Sequence, residues 1–236
     1  MGVPTPPVGI ERERRTGAAG TDVLWVAAAA ALGFTTTALF SSLLQFPRDG
    51  FVAVYALVVG LFLERYLRWS GLDTGQFLRR RWPLGVIGAV VVGALMVASV
   101  QRMAGSPRPA GWPLLWDLLW LGVVYGIVDA LLLTVLPVVA IWRAGARRQW
   151  TSHWAGRVAV GAAAFAASLV VTAAYHLGYA EFRGPQVIDA LIGNGLMTLG
   201  YLVTGSPIAA IGAHVALHIA SVLHGVETTV TLPPHD

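Results

Sequence analysis

Seven stretches of this chain, residues 23–46, 51–67, 84–100, 112–142, 158–179, 187–203 and 207–223, each run for seventeen or more almost wholly apolar residues. A helix needs about 20 such residues to cross the hydrocarbon core of a bilayer. Inside that core every backbone N–H and C=O must be satisfied within the protein, which leaves helices and closed barrels as the only spanning structures. Segments of this length predict an all-α, polytopic integral membrane bundle of about seven transmembrane helices. Composition agrees, since the chain is 56% hydrophobic and 12% charged, whereas soluble domains carry about 25% charged residues. Cysteine is absent, which excludes disulfides, thiolate metal sites and a cysteine nucleophile.

The chain divides simply. Residues 1–21 are rich in Pro and Gly around the run Glu11-Arg12-Glu13-Arg14-Arg15 and predict a disordered tail. Residues 22–228 form one integral membrane domain, and 229–236 a short C-terminal tail. A basic run before an apolar segment also opens secretory signals, but 23–46 is too long for a signal core and predicts an uncleaved first helix. Every one of the 16 basic residues is arginine, a bias that points to a GC-rich bacterial genome. Twelve arginines fall in the N-terminal tail and the second-to-third and fourth-to-fifth connections, against four in the alternate loops. The positive-inside rule then predicts a multi-pass protein of the bacterial cytoplasmic membrane with its N-terminus in the cytoplasm. The arginines mark helix ends, so the high pI predicts no nucleic-acid partner.

Four ionisable residues, Asp129, His176, His214 and His218, lie inside these apolar segments. A carboxylate at mid-bilayer costs roughly 2.5–3.5 kcal/mol on insertion scales, and such groups face a bundle interior where they act. His214 and His218 are four apart, so they share one helix face. Asp129 and His176 come from two other segments, and all four meet only if three helices surround a common polar pocket. Gly126, Gly178, Gly193, Gly195 and Gly212 lie in or near these helices and permit close approach. A single intramembrane histidine is often no more than a packing hydrogen-bonder, and HxxxH alone is a weak pattern. The same holds for Asn194, read as packing glue, and for Tyr125, Tyr175 and Tyr179, read as core or pocket lining. His153, His224 and His235 fall in loops, helix ends or the tail and carry no functional expectation.

At these residues the chain resembles the CPBP (Abi, CAAX-protease-like) family of intramembrane proteases. Its members carry E-E-x-x-x-R on one helix, F-x-x-x-H on the next, and H-x-x-x-N or a variant on a later one. Asp129 to Thr134 stands where the first motif belongs, Thr172 to His176 at the second, and His214 to His218 at the third. The resemblance covers about residues 112–225, with the first three helices as variable additions. His176 and His214 match outright. Asp129 stands for the first glutamate, Ala130 for the second, Thr134 for the arginine, Thr172 for the phenylalanine and His218 for the asparagine.

The resemblance implies an intramembrane endopeptidase acting on a protein or peptide, prenylated or transmembrane. In it Asp129 and His176 polarise water while His214 and His218 stabilise the oxyanion. The third imidazole opens a metal version, with Zn²⁺ on His176, His214 and His218 and Asp129 as base or ligand. Two other classes stay open. One is a non-catalytic scaffold, immunity or partner-binding protein keeping the fold. The other is a haem protein ligated by two of the histidines.

Overall fold

The computed structural model describes residues 19–225 together with Leu232 and Pro233. Residues 1–18 of the expected N-terminal tail and most of the C-terminal tail, His235 included, lie outside the described residues, and residues 19–21 already belong to the first helix. The described residues form a helical bundle without strands. Seven helices are long and apolar enough to cross a membrane: α1 Gly20–Leu43, α2 Arg48–Ser70, α3 Trp82–Val100, α4 Trp112–Arg147, α5 Trp154–Gly178, α6 Gln186–Thr204 and α7 Pro207–His224. A short helix, Thr74–Arg79, lies between α2 and α3 and is capped by the Asp73 carboxylate, which accepts from the Gln76 N–H at 2.9 Å.

These helices match the seven expected segments, with ends shifted by a few residues. The largest extension is in α4, which runs on to Arg147. The extra turn carries Arg147 and follows Arg143, and both side chains turn inward to Asp22 in the first turn of α1. The first helix ends earlier than expected, at Leu43, because Gln45 takes a left-handed backbone (φ 48°) and Pro47 opens the next helix.

The longest helix, α4, sits at the centre. Its most apolar window is 72% buried, against 28–50% for the other six. Two π-helical stretches, Leu118–Val124 and Ala130–Val135, flank a short α-helical segment, Tyr125–Asp129. Such wide turns are rare and often mark functional positions, because they re-aim side chains. Helices α1 and α5 pack on the C-terminal half of α4, α2 and α7 pack along its N-terminal half, α6 meets it at Ala130–Val135, and α3 joins the bundle through α7 and α6.

Glycines set the closest crossings. A Cβ on Gly126 would meet the Val215 Cα at 2.9 Å and the His214 O at 3.2 Å, so α4 and α7 touch backbone to backbone. One turn earlier, a Cβ on Gly122 would lie 2.9 Å from Ile219. Small residues are how membrane helices approach without a hydrophobic driving force. Gly178 and Gly212 are closely packed in the same way, whereas Gly195 has ordinary room and a Cβ on Gly193 would meet nothing within 4 Å.

The two ends of the bundle differ. At one end Asp22 in the first turn of α1 is fully buried, with Arg147 Nε at 3.0 Å and Arg143 Nε at 3.5 Å. Arg143 also donates to the Ser70 carbonyl at the end of α2 at 2.8 Å. Arg81 lies against Gly205 in the α6–α7 turn. The arginine-bearing connections therefore gather at this basic end. The candidate functional residues lie between it and the far end.

Candidate functional site

All four expected residues line one cavity of about 570 Å³. Asp129, His214 and His218 are buried and His176 is half-buried. Asp129 closes the α-helical segment between the two π-helical stretches of α4. The Gly126 crossing one turn earlier sets it against α7, where the 214/218 spacing turns both imidazoles to the same side. His176 comes from the last turn of α5.

The carboxylate has one hydrogen bond and one close imidazole. Its Oδ1 accepts from the Tyr55 hydroxyl at 2.9 Å. Its Oδ2 lies 3.4 Å from His218 Nε2. Tyr55 belongs to α2, outside the segment that carried the motifs, and sequence reasoning missed it. The available signal was a phenol within an otherwise apolar run, whose hydroxyl needs a buried partner. Tyr55 is one of four packed tyrosines. The Tyr125 and Tyr175 hydroxyls are 2.8 Å apart, those of Tyr175 and Tyr179 2.7 Å, and the Tyr55 and Tyr175 rings 5.2 Å. Of the tyrosines named from sequence, Tyr125 and Tyr179 are thus core and cavity wall together, and Tyr175 is core. Burial pushes the Tyr179 phenol, just past α5, well above its ordinary range, so it remains a donor.

The three imidazoles are not equivalent. His176 Nδ1 donates to the Thr172 carbonyl at 2.9 Å and His214 Nδ1 donates to the Ala210 carbonyl at 3.0 Å. A carbonyl only accepts, so each Nδ1 carries the proton and each neutral ring offers a lone pair at Nε2. His218 makes no hydrogen bond through either nitrogen among the described residues. Its ring leans on Tyr125 at 4.6 Å between centroids. A buried polar group left unpartnered calls for an explanation, and a cavity that takes up a polar molecule provides one.

Beside the cavity runs a satisfied polar ladder. Thr134 donates to Asn194 Oδ1 at 2.8 Å, while Asn194 Nδ2 donates to Ser168 Oγ at 2.9 Å and Thr172 Oγ1 at 2.6 Å. Asn194 is accordingly glue between α4, α5 and α6. Thr134 serves this ladder and leaves the carboxylate to Tyr55. The remaining described histidines are accounted for locally. His153 caps α5 by accepting from the Gly156 N–H at 3.0 Å, and His224 Nε2 donates to the Met103 carbonyl at 2.9 Å. Glu64 pairs with Arg68, one turn on, at the surface.

Metal ligation receives mixed support. An Nδ1–H held by a backbone carbonyl is the arrangement that orients a histidine for ligation through Nε2, and His176 and His214 both have it. Among the described residues, no three His, Asp or Glu side chains gather closely enough to share an ion. Binding zinc would require the imidazoles to draw together.

No family model, no curated protein and no solved structure matches the chain.

Proposed function

We propose that this protein is an intramembrane hydrolase, an endopeptidase of the CPBP type, with Asp129 as general base. The observation that carries the proposal is a buried carboxylate with one oxygen held by Tyr55 and the other 3.4 Å from an unpartnered imidazole, on a cavity inside an apolar bundle. Apolar helices of this kind hold such groups at a cost that function repays.

In this reading a water in the cavity gives its proton to Asp129 Oδ2, and its oxygen adds to the peptide carbonyl. His218 has both nitrogens uncommitted, so it is the imidazole able to present an Nε2–H to the oxyanion, in the role the family gives to asparagine. His176 and His214, fixed with the proton on Nδ1, orient water or accept a proton through Nε2; either donates there only as imidazolium. As the C–N bond breaks, the proton passes from Asp129 to the leaving amine. The site sits in the bacterial cytoplasmic membrane, with the basic end of the bundle facing the cytoplasm.

The cavity is continuous with exposed residues such as Arg102 and Gln186, which favours a hydrolase over a sealed scaffold. Purified protein in proteoliposomes should cleave a peptide or membrane-protein substrate. Asp129→Ala should abolish cleavage while far-UV circular dichroism stays unchanged; equal cleavage by the variant contradicts the proposal. Metal analysis of wild type and His214→Ala separates the two chemistries. One zinc per chain lost on substitution selects the metal version, and no metal in either selects the acid–base version. A Soret band in the purified protein would instead support haem.

A further inference from the structure

The cavity wall has a seam. At the basic end α3 and α6–α7 are locked together: a Cβ on Gly88 would meet Thr204 at 2.8 Å, and one on Gly200 would meet Val92 at 2.9 Å. Toward the far end the same two helices become opposite walls of the cavity, α3 through Leu95, Met96 and Ser99 and α6 through Ile192, Gly193 and Met197. Leu95 is 53% exposed and Ile192 59% exposed. These side chains border the cavity and the lipid-facing surface at once, so the cavity opens sideways between α3 and α6. Gly193 faces open space there, since a Cβ on it would meet nothing within 4 Å.

Size decides what can pass. A cavity of about 570 Å³ takes a few turns of α-helix at most, and a spanning helix of about 20 residues is too large. A single hydrocarbon chain, slender and apolar, fits both the volume and the walls. The mouth adds a second constraint. Arg102, just past α3, and Asp189, in the first turn of α6, both line the cavity at its far end. One cation and one anion there complement a zwitterionic headgroup better than a singly charged one.

We propose that the α3–α6 seam admits an acyl chain of a zwitterionic glycerophospholipid from the surrounding bilayer, placing the chain against Met96 and Met197 and the headgroup between Arg102 and Asp189. This binding does not rest on the hydrolase reading.

The test uses the full chain in nanodiscs containing phosphatidylethanolamine with a photoactivatable diazirine midway along one acyl chain, and mass spectrometry of the labelled peptides. Label is expected on the cavity faces at Met96 and Met197. Gly193→Trp, and independently Ile192→Trp at the exposed rim, should lower it at least tenfold with helical content unchanged. The same probe on phosphatidylglycerol should label these sites several-fold less. Label confined to lipid-facing residues, label insensitive to both tryptophans, or displacement by a transmembrane peptide would each overturn the proposal. Asp129→Ala should label like wild type, so loss of hydrolysis and loss of lipid binding are read separately.

Discussion

Adding one methyl group at Gly126 and one at Gly193 should have opposite consequences, and the difference tests how the site is assembled. At Gly126 a Cβ would lie 2.9 Å from the Val215 Cα, 3.1 Å from its N and 3.2 Å from the His214 O. All three are backbone atoms, so no side chain can rotate away. To restore ordinary contact, α4 and α7 must part by roughly 0.5–1 Å, and overpacking of this kind costs about 1–3 kcal/mol. At Gly193 the added methyl meets nothing within 4 Å. Both positions are inside helices, so each alanine gains about the same 0.8–1 kcal/mol of helix propensity. That gain cancels in the comparison, and the steric cost of about 1–3 kcal/mol remains. For a domain of this size each kcal/mol moves the melting temperature by about 2–4 °C. Thermal unfolding in detergent should therefore place Gly126→Ala roughly 2–12 °C below Gly193→Ala. The parting also acts on the site, because Asp129 lies one turn from Gly126 and His218 one turn from His214. Their 3.4 Å approach would lengthen, and misplacements near 1 Å can cost about a hundredfold in rate. Equal melting temperatures, or Gly193→Ala the less stable, would refute the backbone contact that builds the site.

Two further changes probe the supports. Tyr55→Phe removes the hydroxyl on Asp129 Oδ1 and leaves that oxygen without its donor, a loss of about 1–3 kcal/mol; unfolding in detergent should show it, and hydrolysis should fall by roughly ten- to a hundredfold. Asp22→Asn leaves Arg143 and Arg147, both nearly buried, without their carboxylate; breaking such a buried pair costs about 3–5 kcal/mol, so the variant should unfold at clearly lower denaturant, and wild-type stability would show that these ion pairs contribute little.

The seven helices were legible because bilayer thickness fixes the length of apolar sequence that spans it, and their order was legible with them. That the four ionisable residues turn to a common cavity was legible for a related reason: charge is costly among apolar residues, so such groups face the bundle interior. The 214/218 spacing even specified a shared face. What supports Asp129 was not legible. Tyr55 lies 74 residues away on α2, and nothing in a single phenol announces its partner. Asp22 was hidden differently. It stands at the start of α1, where any acidic residue is favourable to the helix dipole, and its tie to Arg143 and Arg147 exists only once α1 packs against the end of α4. The glycines show the same limit. Gly126 and Gly193 look alike in sequence, yet one is a backbone contact and the other an opening, because neighbours decide the role of a missing side chain.

The central claim is that Asp129 activates water for peptide hydrolysis within the bundle. Cleavage in proteoliposomes prepared in H₂¹⁸O, followed by mass spectrometry of the products, tests it most directly. One ¹⁸O in the new carboxylate, present with wild type and lost with Asp129→Ala, is the predicted result. Products without the label, or the same labelled products from Asp129→Ala, would contradict the account.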